Sequence, residues 1–141
     1  MSRNTIASIN LAAIRNNLSI VRGLVPDSKI ASVVKADGYG HGITRVVGAL
    51  QDSDLLAVAT SAEAAALRKG GWNGRLLMLE GFANADEYDL AQSLNAETVV
   101  HHHSQLHMLR QRRWHSGNRI WLKLDTGMHR LGFPLADARA V

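Results

Sequence analysis

Five short apolar runs punctuate the chain: KIASVVK (Lys29–Lys35), LLAVAT (Leu55–Thr60), RLLML (Arg75–Leu79), ETVVH (Glu97–His101) and RIWLKLD (Arg119–Asp125). In most of them apolar residues follow one another instead of alternating with polar ones. Strands read this way when both faces are covered, as in a parallel sheet packed against helices. The runs start at residues 29, 55, 75, 97 and 119, intervals that each hold one strand, one turn and one helix. The segments between them have helical spacing. Leu11, Ile14, Leu18, Val21 and Leu24 share one side of a helix over Leu11–Leu24, and Pro26 blocks continuation just past its end. Thr60 with Glu63 three residues on forms a capping box, opening a helix that Gly70 closes. Asn84–Leu94 and Ser104–Trp114 are amphipathic, the second with Leu106 and Leu109 directed inward, and Pro134 marks a further helix start. An early run, Thr5–Asn10, alternates poorly through Ile6, Ser8 and Ile9, and its place stays open.

Repeated βα units predict an α/β fold with parallel strands. Two architectures satisfy the pattern: a doubly wound sheet of five strands, or a partial (β/α)8 barrel of the TIM type holding about the first five units. A whole barrel needs eight units and about 250 residues, so on the second reading residues 1–141 are an incomplete portion of one. No linker or low-complexity tract interrupts the chain, which reads as one domain.

Composition narrows the function classes. Of the 141 residues, 46% are hydrophobic and 20% charged, enough apolar material for a packed core. The absence of cysteine excludes disulfide scaffolds, cysteine-ligated zinc, iron–sulfur clusters and thiol nucleophiles. No apolar run approaches the roughly 18 residues that span a bilayer. Ser8 and Asn10 interrupt the start, so no secretory signal is expected and the cytoplasm is the expected location. A net charge of +4 and a pI of about 10.0 invite a nucleic-acid reading. The excess, however, lies between Glu97 and Asp125, where Arg110, Arg112, Arg113, Arg119 and Lys123 meet no acidic residue. Three of these sit at a helix end, where cations complement the dipole, and no aromatics interleave to stack on bases. A small molecule is the expected partner, and neither nucleic acid nor membrane is.

Candidate chemistry gathers at two strand ends. In SVVKADGYGHG (Ser32–Gly42), Lys35 ends an apolar strand and Gly38, Gly40 and Gly42 come next in the loop. Sites in parallel α/β folds collect at the C-terminal ends of strands. A lysine there is either a desolvated amine able to form a Schiff base or a strand-end side chain that snorkels to water. The glycine loop either cradles phosphate with backbone N–H groups or merely turns the chain. It does not match the dinucleotide fingerprint, and no acidic residue ends the next strand. In WLKLDTGMHRLGF (Trp121–Phe133), Lys123, Asp125 and Arg130 cluster at a second strand end, where Arg130 either binds a carboxylate or phenolate or pairs internally with Asp125. His101–His103 are read as surface histidines, because consecutive strand residues point to opposite faces and no metal is expected there. Spacing fixes no role for His41. Trp72, Trp114 and Trp121 are read as packing residues.

VVKADGYGHG resembles the cofactor-lysine motif of alanine racemases, and KLDTGMHRLGF resembles a second signature of that family. LLMLEGF and the order of elements add to a likeness that covers essentially the whole chain. The resemblance implies pyridoxal 5′-phosphate (PLP) as cofactor, racemisation of L-alanine and D-alanine, and an N-terminal barrel followed by a C-terminal β-domain in a homodimer. By the same resemblance, Lys35 holds PLP as an internal aldimine and acts as one base. Tyr39 bonds the cofactor phosphate and Val33 lines the pocket. Arg130 contacts the cofactor's phenolic oxygen and the substrate carboxylate, and Lys123, carbamylated in some members, orients Arg130. Asp37–Gly38 stands where Asn–Ala is common, and His129 where glycine is often found. The family's second base, a tyrosine, belongs to the C-terminal domain, so the chain alone is expected to be inactive. Two alternatives stand beside this reading: a non-catalytic PLP-binding barrel and a remnant that binds no cofactor.

Overall fold

The computed structural model describes residues 6–115 and 117–141. In chain order it contains α1 (Leu11–Leu24), β1 (Ala31–Val33), α2 (Lys35–Tyr39), α3 (Ile43–Val46), β2 (Leu55–Val58), α4 (Ser61–Lys69), β3 (Arg75–Met78) and α5 (Ala85–Ser93). Next come β4 (Glu97–Val100), α6 (His103–Gln111), β5 (Ile120–Leu122), β6 (Leu124–Asp125) and β7 (Phe133–Pro134), with 3₁₀ turns at Val47–Ala49 and Leu135–Asp137. The first five strands form one parallel sheet in the order β1-β2-β3-β4-β5, and β6 pairs with β7.

The helices begin where their caps dictate. Asn10 accepts the Ala13 N–H at the start of α1, and Asn84 accepts the Glu87 N–H at the start of α5. The Thr60–Glu63 capping box opens α4 as its sequence predicts.

The two faces of the sheet are built differently. On one, Leu56, Val58, Leu76 and Met78 form the main core with Leu18, Val46, Leu67 and Ala91 from the helical segments. On the other, Leu55, Ala57, Leu77 and Val99 pack as a second cluster made of strand residues alone. A doubly wound sheet carries helices on both faces, whereas a barrel keeps them outside. This arrangement is the barrel's, and the fold is the partial (β/α)8 type.

At the N-terminal end of the inner face, Arg75 Nη2 donates to Glu97 Oε2 at 2.9 Å, and Trp121 Nε1 donates to the same oxygen at 2.7 Å. Burial pushes the Glu97 carboxyl up, but hydrogen bonds from Arg75 and Trp121 outweigh it and hold the carboxyl below its ordinary value. Trp121 is therefore an inner-face donor, 42% exposed, whereas Trp72 and Trp114 pack in the core region as expected.

Several boundaries differ from the sequence expectation. The Lys29–Lys35 run yields a strand only over Ala31–Val33, because Ile30 already turns to bond Asp54 and Lys35 opens α2. The Arg119–Asp125 run breaks at Lys123: β5 ends at Leu122, and Leu124–Asp125 leaves the sheet to pair with Phe133–Pro134. The helix expected over Ser104–Trp114 covers His103–Gln111, since Arg112 is already extended. Arg112 pairs with Asp89 at 2.7 Å and lies over the Tyr88 ring. Pro134 caps a single 3₁₀ turn. Of the early run, Thr5 lies outside the described residues, and 6–10 form no strand. No described helix is long and apolar enough to cross a membrane.

Candidate active site

Lys35 is the first residue after the β1 edge turns away from the sheet, and it is half-buried. The chain then enters a left-handed turn: Ala36, Asp37, Gly38 and Tyr39 have φ of 51°, 53°, 64° and 56°. For residues other than glycine this region costs about 1–2 kcal/mol each, so three of the four need outside support. Gly38 N–H donates to Val34 O at 2.9 Å, and Gly40 N–H to Ala36 O at 3.0 Å. Asp37 Oδ1 accepts the Ile43 N–H at 2.7 Å, capping α3, and Glu63 Oε1 accepts the Ala36 N–H at 2.6 Å. Glycine suits position 38 on two grounds, since φ is positive and a Cβ would lie 3.3 Å from Val46 Cγ2.

Lys123 and Arg130 are placed by the break after β5. Lys123 N–H donates to Val100 O at 2.9 Å, while Lys123 O accepts the Phe133 N–H at 2.9 Å. One residue thus belongs to both the main sheet and the β6–β7 pair. The intervening loop wraps around Asp125. Its Oδ1 accepts the N–H groups of Gly127 at 2.9 Å and His129 at 3.0 Å, and its Oδ2 faces His129 Nδ1 at 2.9 Å. The Gly127 and His129 N–H groups, then the His129 side chain, pull the Asp125 carboxyl down to about 2. His129 has φ 56°, a left-handed value, at the position where the resembling motif often has glycine. Gly132 closes the loop at φ 126°, and any Cβ there would meet Asp125 N at 2.8 Å. Asp125 therefore bonds its own loop, and Arg130 remains exposed beside it.

Lys35 from the start of α2, and Lys123 and Arg130 from the segment that follows β5, line a single cavity of about 620 Å³ at the C-terminal ends of the strands. Its apolar wall comes from Leu79, Val99, Trp121 and Leu122. Three basic side chains outnumber the one carboxylate of this lining, Glu80, and against an apolar wall they suit an anionic ligand. A second cavity of about 620 Å³ shares Glu80, Arg130 and Leu131 with it and is lined also by His101 and His102. Val33 and Tyr39 line neither. They border a recess of about 500 Å³ between β1 and α1, with Tyr39 59% exposed.

The three histidines serve local structure. His101 Nε2 donates to Glu80 O at 3.0 Å, His102 caps α6, and the His103 ring meets the Phe133 edge at 5.1 Å between centroids. His41 turns back onto its own loop, with Nδ1 2.8 Å from Gly38 O. Sequence reasoning missed Leu79 and Glu80 as site walls. It also missed Gln105, 3% exposed, which takes the His101 N–H and donates to Glu80 O at 2.9 Å. A glutamine one turn into α6 carries no signal that would single it out.

A parallel βα sheet with helices on one side and cationic side chains at its C-terminal rim defines the class: a (β/α)8-type barrel fold with a rim site. Residues 9–141 match the alanine racemase N-terminal domain, and the chain belongs to the alanine racemase family. It is 45% identical over 139 residues to alanine racemase of Shewanella denitrificans, covering 96% of this chain and 38% of that protein. Against alanine racemase of Nitrosococcus oceani it is 47% identical over 128 residues, covering 91% of this chain and 36% of that protein. Among solved structures, the biosynthetic alanine racemase from Pseudomonas aeruginosa superposes with a TM-score of 0.86 at 42% identity, over 92% of this chain and 37% of that one. The enzyme from Acinetobacter baumannii gives 0.89 at 34% identity, over 94% and 38%. The chain thus spans less than two fifths of the length of the relatives it matches.

Proposed function

We propose that these residues form the lysine-bearing half of a PLP site whose complete protein interconverts L-alanine and D-alanine. The observation that carries this reading is the convergence of Lys35, Lys123 and Arg130 on one cavity with an apolar wall. The residues fit the cofactor: an amine for its aldehyde, basic side chains for its anionic oxygens and an apolar wall for its ring. When bound, PLP withdraws electrons from the substrate α-carbon, which makes the proton there removable. The chain's own groups do the rest. Lys35 Nζ holds or releases that proton on one face, and Arg130 binds the substrate carboxylate and the phenolic oxygen by charge-assisted hydrogen bonds. Lys123, fixed between two sheets, sets the direction from which Arg130 approaches. Val33, the last residue of β1, pairs with Ala57 of the inner-face cluster two residues before Lys35, and we assign it to the pocket wall on the family resemblance. Tyr39 ends the left-handed turn with its side chain exposed in the recess beside α1, and we assign it to the cofactor phosphate on the family resemblance.

Racemisation requires proton-handling groups on both faces of the reacting carbon, and Lys35 supplies one of them. We assign residues 1–141 to the N-terminal part of the barrel, with the second group, the remaining phosphate contacts and homodimerisation residing in the rest of a family member. A cytoplasmic location belongs to the same proposal.

The test is selective chemistry at Lys35. PLP added to the protein and fixed with borohydride should label Lys35 in peptide maps, and Lys35→Ala should remove that label. Labelling spread evenly over Lys29, Lys69 and Lys123 would overturn the assignment.

A further inference from the structure

Glu63 lies on α4, outside the cavity that Lys35 enters, and its sequence context marks it as half of a capping box. A capping box uses the acidic side chain only to accept the N–H of the N-cap residue. Here the carboxylate does more. Oε2 accepts the N–H groups of Ala59 at 2.9 Å and Thr60 at 3.2 Å, while Oε1 reaches across to the Ala36 N–H at 2.6 Å, 27 residues upstream. Ala36 directly succeeds Lys35 and begins the left-handed run at φ 51°. Its N–H therefore stands at the entry to the left-handed run, just after the chain has left β1 at Val34 and Lys35.

We infer that Glu63 is a positioning residue for Lys35: one carboxylate fastens the turn after Lys35 to the turn that opens α4, and so fixes the direction from which the lysine enters its cavity. The inference rests on the reading of Lys35 as the cofactor lysine. Its physical basis is the cost of the turn. Ala36, Asp37 and Tyr39 occupy a backbone region unfavourable to side chains, and the run persists only where neighbours over-determine it. From within, the turn is held by its own backbone bonds and by Asp37 on α3. At its first residue, the Ala36 N–H donates to Glu63. Without that carboxylate, Ala36 loses a charged acceptor and Lys35 loses the fixed backbone that aims it.

Two variants of the intact protein test this. Glu63→Asp keeps a carboxylate at the start of α4 but is one methylene too short to span both turns. Glu63→Gln keeps the length and one acceptor oxygen. In Glu63→Asp, hydrogen exchange at the Ala36 amide should quicken about tenfold, as expected for losing one hydrogen bond to a charged group. Borohydride-fixed PLP labelling of Lys35 should slow by a similar factor relative to Lys29 and Lys69, while the amides of α4 keep their protection. Glu63→Gln should recover part of both losses. If α4 also loses protection in Glu63→Asp, the Glu63→Gln measurements decide, and values equal to wild type in both readouts overturn the inference. So does faster Ala36 exchange with unchanged Lys35 labelling in either variant. A wild-type protein that never labels Lys35 selectively refutes the cofactor reading instead, and leaves the exchange measurement to report on the Glu63 contact by itself.

Discussion

The centre of the sheet and its two margins are built from similar residues and end in different surroundings. In β2 and β4 all four residues are buried, and in β3 all but Arg75. At the margins, Val33 of β1 is 40% exposed, and Ile120, Trp121 and Leu122 of β5 are 43%, 42% and 43% exposed. Yet IWL is as apolar as LLAV. Strand composition thus records what a strand is meant to face, and the difference between composition and exposure locates where a neighbour is called for. Among the described residues no strand pairs with the outer edge of either β1 or β5.

The sharpest way to break this contrast is to cut the same side chain in both places. Leu56 is fully buried, and Leu56→Ala should cost about 2–5 kcal/mol, the range for leucines deleted from packed cores. Leu122→Ala at the margin should cost less than about 1.5 kcal/mol, because its surface is already partly wet. Urea denaturation of the two variants compares them directly, and equal losses would show that β5 is as well packed as β2.

A smaller effect sharpens the contrast by testing what ties β5 to the centre. Glu97 links Arg75 on β3 to Trp121 on β5. Glu97→Gln should lose about 1–2 kcal/mol at neutral pH, a modest figure because Arg75 is one-third exposed. Because the folded carboxyl is held below its ordinary value of 4.5, its contribution is complete above that value and fades as pH falls through the lowered one. Wild type and variant should therefore converge in acid, read by denaturation across pH with Trp121 fluorescence as the local probe.

The smallest effect belongs to the loop beyond the margin. Asp125 titrates at about 2 in the folded protein against an ordinary 3.8, so its contribution is present above 3.8 and lost as pH falls through about 2. Below the range in which histidine side chains change charge, the Gly127 and His129 amides should keep their chemical shifts down to about pH 3 and move together below it. Movement centred on the ordinary value would show that Asp125 does not hold the loop.

Much of this architecture is legible in the sequence, for identifiable reasons. Continuous apolar runs mark β2, β3 and β4 to within a residue or so because those strands are covered on both faces. The Thr60–Glu63 pair announces α4 because a capping box is local in sequence. That Lys35 and Arg130 meet at one cavity is legible because strand ends in parallel α/β folds converge. Three features are not legible. The break at Lys123 depends on a pairing with Phe133 that no local pattern encodes. The left-handed turn is hidden because three of its four residues, Ala36, Asp37 and Tyr39, favour other conformations by themselves. The bond from the Ala36 N–H to Glu63 spans 27 residues, and spacing along a sequence cannot reveal which distant amide a carboxylate will find.

The strand order has a consequence for how the molecule is made. Because β1 to β5 lie side by side in the order of synthesis, each new strand leaving the ribosome finds its partner already formed. Loop closure then covers only about one βα unit at a time, a small entropic cost repeated instead of one large one. Assembly can advance like a row of tiles, always with a single growing margin. At each stage that margin is the most recent strand, a row of unpaired N–H and C=O groups waiting for the next. A pause in translation after β5 would hold Ile120, Trp121 and Leu122 open to any passing strand or chaperone.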